Sequence, residues 1–240
     1  MARSQQFPSS TAVSVSPPAA SSIAKPPQPV LDGLWAFAPN RDTLGGTAYF
    51  LKLPQGNWLI DAPAWHGETQ AFVEEQGGLQ GVFLTHRGAF GKAIAIQQHF
   101  DCDLVVQEQE AYLLPGANVT TFEQEQAIAP ALTAIWTCGH SPGSACLYWE
   151  GHGGVLFTGR HLLPTRAGGV APLRTAKTFH WPRQIRNTQM LCDRFSSETL
   201  AWICPGASSG FLRGRKAIAS AYMQLQQLDW SALSEAQPLL

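Results

Sequence analysis

Short apolar runs alternate along the chain with segments whose apolar positions recur at helical spacing. The runs at 48–53 and 58–61 are separated by Pro54-Gln55-Gly56-Asn57, which is typical of a hairpin. Further predicted strands cover 81–84, 104–106, 132–136, 144–149, 155–158 and 200–204. Predicted helices cover 68–76, 92–100, 108–114, 183–195 and 216–228. Two β-rich halves with helices between their strands predict two sheets packed together and covered by helices.

The first thirty residues differ from the rest of the chain. They are rich in Ser, Pro and Ala, contain no acidic residue, and carry only Arg3 and Lys25 as charges. Such a segment buries too little apolar surface to offset its chain entropy, so we expect a disordered tail at 1–30 and one folded domain at 31–240. The absence of a continuous apolar segment argues against a secretory signal. The acid-poor, Ser-rich composition is also shared by organelle transit peptides, although their Arg-rich amphipathic pattern is missing.

Composition excludes several classes of protein. The 240 residues are 45% hydrophobic and 14% charged, with a formal net charge of -1, so no field for steering nucleic acid is indicated. The short basic cluster of Arg213, Arg215 and Lys216 is interpreted as the solvated start of the last helix. No apolar run reaches the roughly 18 residues needed to cross a bilayer, so we expect no membrane insertion. Five cysteines without a C-x-x-C spacing favour a reducing compartment, which indicates the cytoplasm.

Five short motifs follow one another in the loops between predicted elements. They are Gly-Thr-Ala-Tyr-Phe at 46–50 leading to Leu59-Ile60-Asp61, Val-Phe-Leu-Thr-His at 82–86, Cys-Gly-His-Ser-Pro-Gly-Ser at 138–144, Leu-Phe-Thr-Gly at 156–159, and Ile-Cys-Pro-Gly at 203–206. In this order they resemble the metallo-β-lactamase superfamily, which includes the glyoxalase II-like metallo-hydrolases. The corresponding motifs of that family are a strand ending in Asp, then T-H-x-H-x-D-H, G-H-T-P-G-S, L-F-T-G-D and P-G-H.

The resemblance implies both a fold and a chemistry. The implied fold is an αββα four-layer sandwich of the α/β class. The implied chemistry is hydrolysis by two cations, usually zinc, iron or manganese, which bridge a hydroxide and polarise the substrate. Such a centre needs a dense shell of imidazoles and carboxylates, because the cations carry about four positive charges between them.

This chain departs from the family pattern at most of its ligand positions. Only His86 and His140 keep the expected ligand type. The other five positions are held by Gly88, Phe90, Gly91, Arg160 and Ala207. We therefore predict a former metal site formed by these seven residues together with Asp61.

Arg160 replaces the bridging Asp and is the most informative of these changes. A guanidinium keeps its proton and cannot be a ligand. At about 4 Å from a divalent cation it would repel that cation by roughly 8 kcal/mol at an effective dielectric near 20. We predict that Arg160 fills the former metal pocket and pairs with Asp61. The alternative is that its side chain turns into solvent.

The remaining candidate residues allow two interpretations each. His86 and His140 either hold one metal, with a third ligand from His161, His180 or Asp61, or are remnants held by hydrogen bonds. The family's substrate cleft borders the segment after T-G-D, so His161, His180, Trp181 and Arg183 are candidates to line a pocket. The alternative for the last three is a packed helix start with Pro182 in its first turn.

Three functions remain open from the sequence. The one we favour is a non-catalytic pseudoenzyme that binds a small ligand or a protein partner in the former active-site cleft, with no cofactor expected. The alternative is a hydrolase of a thioester, lactone or related ester with a reduced mononuclear zinc or iron site. A third is a structural or assembly protein that uses the outer surface of the fold. The strings Thr158 to His161 and Phe179 to Pro182 also resemble degenerate superfamily members of oxygenic phototrophs, which implies a cyanobacterial cytoplasm, or a plastid if the tail is a transit peptide.

Overall fold

The computed structural model describes residues 25–239, and their strands form two large sheets. The first sheet has seven strands in sequential order: β1 (Gln28–Leu31), β2 (Leu34–Ala36), β3 (Tyr49–Leu51), β4 (Trp58–Ile60), β5 (Gly81–Leu84), β6 (Asp103–Gln107) and β7 (Val119–Phe122). Pairing is antiparallel from β1 to β4 and parallel from β4 to β7. The parallel strands therefore bring their carboxyl ends to one edge of this sheet.

The second sheet has six strands in the order β15, β14, β11, β10, β9, β8. Their bounds are β8 (Glu125–Ala129), β9 (Leu132–Trp136), β10 (Ala145–Trp149), β11 (Val155–Gly159), β14 (Trp202–Pro205) and β15 (Ile218–Ala219). Only β11 and β14 pair in parallel. A separate small hairpin is formed by β12 (Leu163–Pro164) and β13 (Val170–Ala171).

Helices cover the outer face of each sheet. They are α1 (Gly67–Glu75), α2 (Ala93–Phe100), α3 (Glu108–Ala111), α4 (Trp181–Arg194), α5 (Ala221–Gln226) and α6 (Trp230–Glu235). Alternating positions along the strands divide the core: in β11, Phe157 packs between the two sheets, whereas Leu156 packs outward beneath α4 and α5. In β5, Phe83 likewise faces inward and Val82 packs outward beneath α1 and α2. This arrangement confirms the predicted αββα four-layer sandwich.

The end of the chain differs from its prediction. The helix predicted at 216–228 begins at Ala221, because Ile218–Ala219 pairs with β14 and Ser220 has a left-handed φ of 52°. Arg213, with φ 49°, follows a 3-10 turn, so the basic cluster lies in a loop and not at a helix start. Apolar spacing alone did not separate the short strand from the helix that follows it.

The predicted boundary between tail and domain lies close to the first strand. Strand β1 begins at Gln28, and its pairing with β2 joins Gln28 to Ala36. Most of the disordered tail expected at 1–30, namely residues 1–24, falls outside the described residues. Within residues 25–239, no helix is both long and apolar enough to cross a membrane. All five cysteines are free and buried.

Candidate functional site

The predicted site residues come together where strands of both sheets end. Asp61 follows β4, and His86 follows β5 by two residues. Arg160 directly follows β11, and His140 lies in the loop between β9 and β10. Contacts join these loops across the two sheets: a Cβ on Gly159 would lie 2.3 Å from Oγ1 of Thr85, so only glycine permits this approach.

A hydrogen-bonded chain orients the imidazole of His86. Asp61 accepts from the main-chain N–H of Thr85 at 2.8 Å and from the Thr85 hydroxyl at 2.9 Å. Because that hydroxyl proton points to Asp61, Thr85 Oγ1 is left to accept from Nδ1 of His86, which lies 2.9 Å away. While Asp61 is ionised, His86 therefore carries its proton on Nδ1 and presents the lone pair of Nε2. This Nε2 is buried and has no hydrogen-bond partner.

Burial also sets the protonation of these groups. Desolvation lowers the pKa of His86 well below its ordinary value, with smaller contributions from His140 and Arg160. Desolvation lowers the pKa of His140 to about 4, assisted by Arg160 and Arg87. Burial raises the pKa of Asp61 to about 7, although the hydrogen bonds from Thr85 and the charge of Arg160 oppose that rise. Both imidazoles are consequently neutral near pH 7.

The two retained histidines are neighbours. Their ring centroids are 5.0 Å apart, and the ring planes meet at 76°. His140 is positioned by the start of α4, because its carbonyl accepts from Phe179 N at 3.1 Å and the carbonyl of Gly139 accepts from His180 N at 2.9 Å. The structure thus brings together the two family-type ligands that the sequence retains.

Arg160 lies in the same site but is anchored differently from the prediction. Its Nη2 donates to the carbonyls of Thr43 at 3.1 Å and Leu44 at 2.9 Å, whereas its Nε is buried and has no hydrogen-bond partner. Among the described residues, no carboxylate lies within 4.0 Å of its guanidinium, so the predicted ion pair with Asp61 is wrong. The carboxylate of Asp61 is already bound by Thr85, and main-chain carbonyls hold Arg160 instead. Arg160 is half-buried and not turned into solvent.

The replaced positions of the metal loop adjoin His86. A Cβ on Gly88 would lie 3.1 Å from Nε2 of His86, so a side chain there would crowd that nitrogen. Gly91 has φ 43° and packs against Thr43 and Ala62. Ala207 is buried after β14, in a loop held by the hydrogen bond from Gly206 N to Gly159 O.

Sequence reasoning missed Glu110, which connects two loops of the site. Its side chain is 1% exposed and accepts from the main-chain N–H groups of Arg87 and Gly143, while Nε of Arg87 lies 3.9 Å from Oε1. Glu110 thereby ties the His86 loop to the His140 loop. Glu108 and Glu110 both belong to a short acidic helix, and no feature of the sequence distinguishes the buried one.

A cavity of about 670 Å³ opens over these residues and is called the cleft cavity below. Its lining consists of Leu44, His86, Arg87, Gly88, Phe90, Leu113, His140, Ser141, Arg160, Leu163, Leu173, Thr175 and Lys177. Five predicted site residues therefore line the cavity: His86, Gly88, Phe90, His140 and Arg160. Asp61, Gly91 and Ala207 lie in the same loops but outside the lining.

The four residues proposed as further pocket lining are absent from this lining. His161 is buried, with Nε2 3.1 Å from the Thr188 hydroxyl, and burial lowers its pKa to about 3. His180 caps α4 by accepting from Arg183 N, and Trp181 is buried and donates to the carbonyl of Leu233. Arg183 Nη1 lies 3.9 Å from the sulfur of Cys138. His180, Trp181 and Arg183 thus match the alternative interpretation, a packed helix start.

The donor set does not fit a two-metal centre. Within residues 25–239, no three His, Cys, Asp or Glu side chains are placed to hold one metal ion. Both oxygens of Asp61 are bound by Thr85, and Arg160 brings a fixed positive charge into the site. Two neutral imidazoles are the only family-type ligands in the cleft cavity.

Comparison with known proteins finds similar structures but no similar sequence. The chain matches no protein-family profile and no curated protein. Its structure is similar to that of DIM-1 metallo-β-lactamase, with a TM-score of 0.67 and 16% identity over 87% of this chain and 96% of that one. A metallo-β-lactamase family protein from Thermus thermophilus gives a TM-score of 0.60 and 18% identity over 85% and 80%.

A third similar structure is a quorum-quenching N-acyl homoserine lactone lactonase, with a TM-score of 0.51 and 18% identity over 67% of this chain and 78% of the lactonase. All these identities are low, so the similarity concerns the fold. Residues 25–239 have the metallo-β-lactamase fold.

Proposed function

We propose that this protein is a pseudoenzyme, which uses the cleft cavity to bind a small ligand and does not hydrolyse it with two metals. The observation that carries this proposal is the position of Arg160. A guanidinium held by two carbonyls stands in the site where the family has its bridging carboxylate. This fixed charge repels cations and attracts anions.

Two further features support binding in the cleft cavity. Its volume of about 670 Å³ falls within the range usual for small-molecule sites. Its loops are also fixed by internal hydrogen bonds, because Glu110 joins the His86 loop to the His140 loop and Arg160 joins β11 to the loop before β3. A preformed site of this kind loses little conformational entropy on binding. A protein partner inserting one side chain into the cavity is a variant of the same proposal.

One observation favours the second candidate, a hydrolase with a single metal. The lone pair of His86 Nε2 has no partner, and the ring of His140 lies beside it. Such an orientation, fixed by Thr85 and Asp61, is also found for histidines that bind metals. One N-acyl homoserine lactone hydrolase of similar fold binds its product at a catalytic metal centre. The substrate of this candidate would be a thioester, lactone or related ester.

Metal analysis and hydrolysis assays separate the two candidates. The full chain should be purified without a histidine tag, analysed for zinc, iron and manganese, and assayed on thioester and lactone substrates with and without added metal. We expect substoichiometric metal and no turnover above that of a His86→Ala, His140→Ala double variant, which removes both imidazoles. One tightly held metal per chain, or turnover that the double variant lacks, would refute the pseudoenzyme and support the hydrolase.

The proposed location is the cytoplasm of a cyanobacterium, or a plastid if residues 1–30 act as a transit peptide. Localising the full chain and a chain that lacks residues 1–24, each fused to a fluorescent protein, tests the second possibility.

A further inference from the structure

Cationic side chains outnumber carboxylates around the cleft cavity. Three cationic side chains line it, namely Arg87, Arg160 and Lys177, and no carboxylate does. The nearby carboxyl groups of Asp61 and Glu110 are only 5% and 1% exposed and are bound within the wall. Arg87 has Glu110 at 3.9 Å, but Arg160 and Lys177 have no carboxylate within 4.0 Å among the described residues. The cavity is therefore complementary to an anion.

His86 adds a hydrogen-bond acceptor to this cationic site. Its Nδ1 proton is engaged with Thr85, so its Nε2 offers a lone pair. His86 is 3% exposed, and its Nε2 has no partner, which costs free energy while the lone pair stays unpaired. An acceptor does not bind a carboxylate directly. It requires a ligand that also carries an O–H or N–H group.

The lining also includes five apolar side chains, beside the polar His140, Ser141 and Thr175. Its apolar side chains are Leu44, Phe90, Leu113, Leu163 and Leu173. Leu44 and Leu113 are 63% and 38% exposed, so these two leave apolar surface open to solvent. Covering such surface stabilises a complex, because apolar area is removed from water. The cavity thus combines a polar part with an apolar part.

We propose that the ligand is a hydroxylated organic acid with an apolar chain. Its carboxylate lies against Arg160 and Lys177, its hydroxyl donates to Nε2 of His86, and its chain covers the leucines and Phe90. This inference rests on the proposed function, because it gives the chemical class of the ligand of that same cavity.

Titration calorimetry on the full chain tests the assignment with four probes: 3-hydroxyoctanoate, octanoate, methyl 3-hydroxyoctanoate and octyl phosphate. We expect 3-hydroxyoctanoate to bind best, and its affinity to fall as salt concentration rises. Octanoate should bind several-fold more weakly because it lacks the donor for His86. The methyl ester should bind about tenfold more weakly because it lacks the charge. If octyl phosphate binds more tightly than 3-hydroxyoctanoate, the anionic group of the ligand is a phosphate and the carboxylate assignment is wrong.

Variants assign each half of the ligand to its residue. Arg160→Gln should lower the affinity for 3-hydroxyoctanoate about tenfold. Arg213→Gln, which removes an arginine outside the cavity, should leave that affinity unchanged. His86→Phe keeps a ring but removes the acceptor, so it should bind octanoate and 3-hydroxyoctanoate equally. If that variant does not fold, 3-methoxyoctanoate serves instead with the native protein, because its ether oxygen cannot donate to Nε2 and it should bind no better than octanoate.

Several outcomes would overturn the inference: equal binding of acid and ester, no effect of Arg160→Gln, or no binding of any probe. These outcomes leave the pseudoenzyme proposal standing, since that proposal depends on metal content and turnover. One tightly bound metal per chain would instead refute both the pseudoenzyme proposal and the ligand assignment. Metal analysis detects it independently of every titration.

Discussion

Arg160 donates a 2.9 Å hydrogen bond to the carbonyl of Leu44, a residue 116 positions earlier in the chain. Leu44 has a left-handed φ of 54°, which is uncommon for a leucine. The bond therefore joins the end of β11 in one sheet to a strained turn before β3 in the other. Arg160 has thus become part of the structure that holds the cleft together.

Arg160→Asp should lower the stability of the metal-free protein and raise its affinity for zinc. It removes both hydrogen bonds to main-chain carbonyls and places a carboxylate beside His86 and His140, which completes a possible three-ligand shell. Without metal we expect a loss of about 1 to 3 kcal/mol in the free energy of unfolding. Added zinc should restore part of that loss in this variant and have no effect on the native protein. Chemical denaturation with and without zinc measures both effects.

The control for this prediction is Arg160→Gln. Glutamine has a shorter neutral side chain, so it supplies no charge and no carboxylate. It should lose less stability than Arg160→Asp and gain nothing from zinc. Equal zinc stabilisation of both variants would show that the introduced carboxylate is not a ligand.

Asp61→Asn should reverse the tautomer of His86. The asparagine NH2 group would donate to Thr85 Oγ1, so the Thr85 hydroxyl proton would turn to Nδ1 of His86. The ring proton would then lie on Nε2. The ¹⁵N chemical shifts of the His86 ring distinguish the two forms. Asp61→Leu serves as the control, because leucine removes the interaction without inverting it. Unchanged shifts in Asp61→Asn would contradict the hydrogen-bonded chain described here.

Acid should destabilise the protein through His161. Burial lowers its pKa to about 3, whereas an unfolded histidine has a pKa near 6.5. Between these values only the unfolded state takes up the proton, so stability is complete above about pH 6.5 and is lost as pH falls towards 3. By pH 4.5 the loss from His161 should be about 2 to 3 kcal/mol. His86 and His140 act in the same direction.

His161→Gln should make this pH dependence shallower. Glutamine can still donate to the Thr188 hydroxyl but does not titrate. Denaturation at pH 7 and at pH 4.5 gives the change in unfolding free energy between these pH values for each variant. A loss of packing lowers stability at both pH values, whereas titration of His161 changes only the difference between them. A His161→Gln slope equal to the native one would exclude His161 as the cause.

Glu110 should be required for the arrangement of the cleft. Glu110→Ala leaves the N–H groups of Arg87 and Gly143 without their acceptor, and we expect a loss of about 2 to 4 kcal/mol. Glu110→Gln keeps one acceptor oxygen and should lose less. Hydrogen exchange of the Arg87 and Gly143 amides should accelerate in both variants. Glu108→Ala, which changes an exposed residue of the same helix, is the matched control and should leave these amides protected.

The first strand should contribute to stability although it lies partly in the segment expected to be a tail. Removing residues 1–31 deletes β1 and its pairing with β2. Removing residues 1–24 deletes no residue that the structure describes. We expect a clear fall in melting temperature for the longer deletion and only a small shift for the shorter one. Equal melting temperatures would show that β1 adds no stability.

Much of the fold followed from sequence because the central strands are continuous apolar runs. The strand predicted at 81–84 is observed with the same bounds, since it is buried on both faces. The edge strands β7 and β8 were missed because their exposed positions carry Thr, Glu and Gln, which give little apolar signal. Strand β15 was missed because its two residues merge with the apolar spacing of α5.

The location of the site was predictable from the sequence, but the hydrogen-bond partners of its side chains were not. Motif order placed His86, His140 and Arg160 in loops at one edge, and the structure brings them together. The partner of Arg160 was not predictable, because main-chain carbonyls are invisible in a sequence and a nearby carboxylate is the simpler expectation. Glu110 was missed for a related reason, since its acceptors are satisfied by main-chain amides of distant loops.

The burial of all five free cysteines has a practical consequence. A single cysteine introduced at Leu44, 63% exposed on the lining of the cleft cavity, would be the one accessible thiol in residues 25–239. A fluorescent dye attached there would report on occupancy of the cavity without any change to the native thiols. The same labelled protein could be screened against complex metabolite extracts, so its natural ligand could be sought by emission alone.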